Sequence, residues 1–156
     1  MAAAASLKAL EEVAPEVERA RVLVVDDDER NLLAIQTVIE DEADVVVARS
    51  GEEALRHLLK GEFAVILLDV YMPGMDGYET MQQIRARPAL ANMPLVAVTA
   101  KAMRGDRQKC LDAGASDYIA KPVDIELLLA LLRVWVQRAR GRAAAGRPAL
   151  TQTAAE

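Results

Sequence analysis

Between Arg21 and Gln137 one cycle repeats five times: a short apolar run, a polar residue at its end, then a stretch with helical periodicity. The runs are Val22 to Val25, Asp44 to Ala48, Val65 to Leu68, Pro94 to Val98 and Asp117 to Ala120. Strands that alternate with helices specify a parallel sheet with helices on both faces. Val65-Ile66-Leu67-Leu68 has no polar alternation, as expected of a strand buried on both sides. The connections are short, which leaves no room inside this region for a second domain.

Helix signals fill the gaps. Asp28 caps a helix running to about Asp41, with Leu32, Ile35, Val38 and Ile39 inward. Ser50 opens a second helix, which Gly61 closes. A third runs from about Asp76 to Arg87 before Pro88, a fourth from about Arg104 to Ala113 before Gly114, and a fifth from about Asp124 to Gln137. Residues 1–20 read as an extension or linker, in which Ser6 can cap a short helix that Pro15 interrupts. Residues 138–156 turn to Arg, Ala, Gly and Pro and read as a disordered tail.

Composition narrows the function. The formal charge of −5 argues against nucleic acid as a partner. No apolar run is long enough to cross a bilayer, and the Ala-rich start lacks the basic and apolar regions of a secretory signal. One cysteine, Cys110, excludes an internal disulfide, and one histidine, His57, excludes a multi-histidine metal site. These features point to the cytoplasm.

The polar residues at the strand ends carry the chemistry. The first strand delivers Asp26 and Asp27, the third Asp69, the fourth Thr99 and the fifth Lys121. Open α/β sheets bind ligands at the carboxyl ends of their strands. Singly, each residue has a plainer role: Asp26-Asp27-Asp28 as a capping cluster, Asp69 as a turn starter, Thr99 in a local bond, Lys121 in solvent. Together, three carboxylates without a thiol or histidine make a hard oxygen site suited to Mg²⁺, with Mn²⁺ as a substitute. Thr99 and Lys121 add a hydroxyl and a compact cation that can hold phosphate oxygens. The set fits phosphoryl transfer onto a carboxylate.

Four segments carry a resemblance. They are Val22-Leu23-Val24-Val25-Asp26-Asp27-Asp28, then Leu67-Leu68-Asp69-Val70-Tyr71-Met72-Pro73-Gly74-Met75-Asp76-Gly77, then Val98-Thr99-Ala100, and Gly114-Ala115-Ser116-Asp117-Tyr118-Ile119-Ala120-Lys121-Pro122. In that order they resemble the receiver domain of two-component response regulators, over about Arg21 to Gln137. The wording around Ala97 to Met103 and the last helix is similar to receivers attached to hybrid kinases. The resemblance implies a flavodoxin-like, doubly wound five-stranded parallel sheet of order 2-1-3-4-5 with five helices. It implies Asp69 as phosphoacceptor, and Asp26, Asp27, Asp69 and the Tyr71 backbone carbonyl as Mg²⁺ ligands. Lys121 is then the phosphate-binding lysine, Thr99 and Tyr118 the switch pair, and Lys121-Pro122 a cis bond. Tyr71 and Lys101, each two residues beyond a motif residue, flank the path of attacking water and bear on phosphate lifetime.

The implied partner is a histidine kinase or a histidine phosphotransfer protein, and the face of helix four, strand five and helix five is the one that switches. Ile125, Leu128, Leu129, Leu132 and Val136 make a core stripe on the last helix, with Trp135 at the core edge. Leu127, Leu131 and Val134 make a second stripe, read as a surface for a partner or for a homodimer. A rival function is a Mg²⁺-dependent phosphohydrolase with an aspartyl-phosphate intermediate. Such enzymes commonly place a second acid two residues after the nucleophile, and here Tyr71 stands there. A phosphate-independent docking module would be expected to lack a motif residue, and none is missing.

Overall fold

In the computed structural model, residues 19–72, 74–100 and 105–155 are described. The strands are β1 (Arg21–Val25), β2 (Asp44–Ala48), β3 (Val65–Asp69), β4 (Leu95–Thr99) and β5 (Asp117–Ala120). All pair in parallel, in the order β2-β1-β3-β4-β5. The expected topology is therefore found. β3 and β4 are buried along their whole length, and β1 is buried from Val22 onward. The edge strands β2 and β5 are half-buried over most of theirs.

Five α-helices follow among the described residues: α1 (Glu29–Ile39), α2 (Gly51–Lys60), α3 (Gly77–Arg85), α4 (Asp106–Ala113) and α5 (Ile125–Ala155). Four begin on the expected kind of side-chain cap. Asp28 accepts from the Arg30 amide, Ser50 from Glu53, Asp76 from Glu79 and Asp124 from Leu127. The third helix ends at Arg85, and Pro88 opens a short 3₁₀ turn, Pro88–Leu90.

Side-chain alternation along the strands divides the core in two. Val22, Val24, Val65, Leu67, Val96 and Ile119 face α1 and α5, where Leu32, Ile35, Ile39, Leu128 and Leu132 meet them. Leu23, Val25, Ile66, Leu68, Leu95 and Ala97 face α2, α3 and α4, against Ala54, Leu58, Met81, Ile84 and Cys110. Each central strand thus needs apolar residues at every position, which explains the runs in the sequence.

The last helix departs from expectation in two ways. It continues to Ala155 where the sequence reading ends it at Gln137. Alanine and arginine, which give 138–156 its low complexity, are also strong helix formers. Its apolar stripes are also shared out differently. Ile125, expected inside, is exposed, whereas Leu131, expected on the outer stripe, packs half-buried against the α1–α5 core with Trp135. Leu131 follows Leu128 by nearly one turn, close enough to share its face. Leu127 and Val134 are exposed as expected. The extension read at 1–20 lies outside the described residues up to residue 18.

Candidate functional site

The sheet order reverses between β1 and β3, so the loops after these two strands diverge and leave a crevice at their carboxyl ends. Asp26 follows β1 there and Asp69 closes β3. Both carboxylates are buried, while Asp27 beside them is exposed. One oxygen from each of the three lies within 4.8 Å of the others. Oxygen donors this close, with no sulfur or nitrogen among them, fit a hard divalent cation.

Lys121, brought in from the end of β5, lies across this cluster. Its Nζ is 3.4 Å from Asp26 Oδ2 and 3.6 Å from Asp69 Oδ2. The lysine is held at its root, since the Lys121 amide donates to the Thr99 carbonyl at 2.7 Å. The peptide bond to Pro122 is cis, as the resemblance implies. Asp26 also accepts from the Asp28 amide at 2.9 Å and from Asn31 Nδ2 at 3.2 Å. Asp69 accepts from the Tyr71 amide at 3.1 Å.

Burial is the largest influence on the Asp69 carboxyl and lifts its pKa from 3.8 to about 6. The Tyr71 amide acts against this by stabilising the anion, the charge of Asp26 adds to the rise, and Lys121 counters it. Burial first, and the like charge of Asp26 after it, thus oppose ionisation of the nucleophile candidate. A bound cation would relieve both.

Thr99 is fully buried at the end of β4, and its hydroxyl donates to Asp106 Oδ2 at 3.2 Å. The Tyr71 hydroxyl reaches Asp106 Oδ1 at 3.4 Å. The Tyr71 ring meets Tyr78 edge-on, centroids 6.2 Å apart, so its side chain is turned toward α3 and α4. Tyr118, on β5, is half-buried; burial first and the nearby Asp106 charge second push its phenol up. Lys101 lies outside the described residues.

Two contributors were not read from the sequence. Asn31 reads as one polar position on a helix, yet its amide holds Asp26. Asp106 reads as a first-turn acid favouring the helix dipole. The available signal was Gly105 in place of a side-chain cap. It adopts a left-handed conformation, φ 90°, at the helix start, and no side chain caps α4. An acid just after it is therefore released from capping.

Three kinds of relative agree with this arrangement. Residues 22–133 match the family model described as the response regulator receiver domain. The sensor protein GacS of Pseudomonas syringae pv. syringae is 40% identical over 119 residues, 74% of this chain and 13% of GacS. The response regulator PleD of Caulobacter vibrioides is 38% identical over 135 residues, 82% of this chain and 30% of PleD. The chain thus spans less than a third of either curated relative. The structure of the chemotaxis protein CheY4 of Vibrio cholerae superposes with a TM-score of 0.70 at 31% identity, covering 74% of this chain and 97% of CheY4. No described helix is long and apolar enough to cross a membrane.

Proposed function

The chain belongs to the response regulator receiver domain family, and from that premise we propose that it accepts a phosphoryl group on Asp69 from a phosphohistidine. The donor is a histidine kinase or a histidine phosphotransfer protein. The observation that carries this reading is the Asp26–Asp27–Asp69 cluster with Lys121 across it at the sheet's switch point.

Asp26, Asp27, Asp69 and the Tyr71 carbonyl are the groups that would hold Mg²⁺, with Mn²⁺ as a substitute. When bound, the ion supplies positive charge beside the phosphoryl oxygens. An ionised Asp69 oxygen attacks phosphorus. The P–O bond forms as the P–N bond breaks, and the imidazole leaves with the electron pair and takes a proton from solvent. Lys121 offers its ammonium to the phosphoryl oxygens. Thr99 turns its hydroxyl to them, and Tyr118 follows inward. Hydrolysis of the acyl phosphate returns Asp69. Tyr71 and Lys101 each stand two residues beyond a motif residue, and by the family resemblance they set the lifetime of the phosphorylated state.

The resulting change is read on the face of α4, β5 and α5, where Leu127 and Val134 are exposed. That face serves a downstream partner or a second copy of the chain. Phosphohydrolase action is disfavoured, because no acid stands two residues after Asp69.

Incubation with acetyl phosphate, with and without Mg²⁺, followed by intact mass, tests the assignment. Wild type is expected to gain a phosphoryl adduct only with Mg²⁺, and Asp69→Ala none; an equal adduct on Asp69→Ala would overturn the assignment. In the same assay, the adduct on Tyr71→Ala decays faster than on wild type, and an unchanged half-life would remove Tyr71 from lifetime control.

A further inference from the structure

Asp106 is a buried carboxylate at the first position of α4, about 9% exposed, in none of the four motif segments. Among the described residues its side-chain partners are two hydroxyls, one on each carboxylate oxygen: Thr99 Oγ1 on Oδ2 and Tyr71 Oη on Oδ1. Both come from the rim of the Asp69 site. Thr99 ends β4, one residue beyond Val98, which pairs with Asp69, and Tyr71 lies two residues after Asp69. The end of one strand and the loop after another therefore converge on one carboxylate carried by a helix.

A threonine hydroxyl has a single proton to donate. With that proton on Asp106, Thr99 cannot also donate it to an oxygen of a phosphoryl group on Asp69. We infer that Asp106 is a positioning residue, which holds the Thr99 hydroxyl in the resting arrangement and competes with the phosphoryl group for it. The inference rests on Asp69 being the phosphoacceptor. It assigns to α4 a part that the motif residues alone do not supply. When Thr99 transfers its hydrogen bond, Asp106 loses its Oδ2 partner and faces new negative charge in a poorly solvated place. Both changes act on the start of α4, where Gly105 in its left-handed conformation lets the chain turn. Charge at Asp69 is thereby converted into displacement of a helix end, and the resting contact sets how much phosphoryl affinity is spent on it.

The test is a calorimetric titration with beryllofluoride in saturating Mg²⁺, as a mimic of the phosphoryl group. Asp106→Ala should tighten binding about fivefold to tenfold, the ratio that one net hydrogen bond gives. In a Thr99→Val background the same substitution should change affinity less than about twofold, because no hydroxyl remains to be released. Thr99→Ser, which keeps the hydroxyl, should restore the Asp106 effect. A purely structural role in starting α4 would move thermal stability equally in all three backgrounds and leave no such coupling. If circular dichroism shows Asp106→Ala unfolded, the isosteric Asp106→Asn carries the test, with tightening of about threefold expected because a neutral acceptor is weaker. Wild type that binds beryllofluoride, with Asp106 variants that match it or shift equally without the Thr99 hydroxyl, overturns the inference alone. Folded wild type that neither binds beryllofluoride nor takes phosphate from acetyl phosphate overturns the phosphoacceptor reading and this inference with it.

Discussion

At the scale of single residues, the site is a problem of like charge in a buried place. Asp26 and Asp69 lie beneath the surface with one ammonium between them. Burial chiefly, and Asp26 in part, lift the Asp69 carboxyl from 3.8 to about 6. A carboxyl raised on folding binds its proton more tightly in the folded chain than in the unfolded one. Its contribution to stability is therefore full below about pH 4 and is lost as pH rises through about 6. Asp69→Asn keeps the shape and removes the titration. In metal-free buffer with chelator, the variant should melt above wild type at pH 7.5 by a clearly larger margin than at pH 4, followed by differential scanning fluorimetry. Equal margins at both pH values would mean that the site does not hold Asp69 against ionisation. The motif aspartates, Thr99 and Lys121 could be read from the chain because each directly ends an apolar run. Asp106 could not, since its inward aim depends on the left-handed turn at Gly105 and on two hydroxyls whose meeting no local pattern announces, Thr99 seven residues before it and Tyr71 35 before it.

At the scale of elements, the central strands were legible because burial on both faces disfavours polar residues within them, so their ends are sharp. Helix ends were less so. Helix propensity is not confined to the apolar stripe, and α5 runs past Gln137 through a stretch rich in alanine and arginine. One junction has no slack. Gly77, the first residue of α3, lies so close to the end of β3 that an added Cβ would press on Val70 Cα and come within 2.6 Å of the Asp69 carbonyl oxygen. In an open helix, Gly→Ala would gain up to about 1 kcal/mol. Here the obstacle is backbone, so the sign reverses. Gly77→Ala should lose about 1–3 kcal/mol in urea unfolding. It should also slow phosphorylation, because relief requires the Asp69–Val70 backbone to move. Stability equal to or above wild type would show that β3 and α3 can separate without cost.

At the scale of the whole molecule, the two half-cores bear unequally on the site. β2 meets the site through the main chain alone, where the Asp26 amide donates to the Ala48 carbonyl at 3.1 Å, whereas α4 reaches it through the Asp106 side chain, and β5 is followed by Lys121, whose ammonium meets Asp69 and whose amide donates to the Thr99 carbonyl. A signal that begins at Asp69 therefore reaches α4 and β5 through side chains that can change partner, and reaches the opposite edge through a fixed main-chain bond. Neither the unequal routes nor the sharing of α5 between core and surface follows from the motifs alone. Periodicity gives two stripes on α5, and only packing decides that Leu131 turns inward while Leu127 and Val134 stay outside. Hydrogen exchange by mass spectrometry, with and without beryllofluoride and Mg²⁺, measures the asymmetry. Exchange should slow in the loops after β1, β3 and β4, and should change in α4 and β5 by more than in α2 and β2. Asp106→Ala should uncouple the two responses, with the loops still protected and the α4 change reduced, because the helix end would no longer carry the anion that the phosphoryl group displaces. A uniform change across both edges of the sheet would instead mean that the domain stiffens as one body, with α4 having no privileged connection to Asp69.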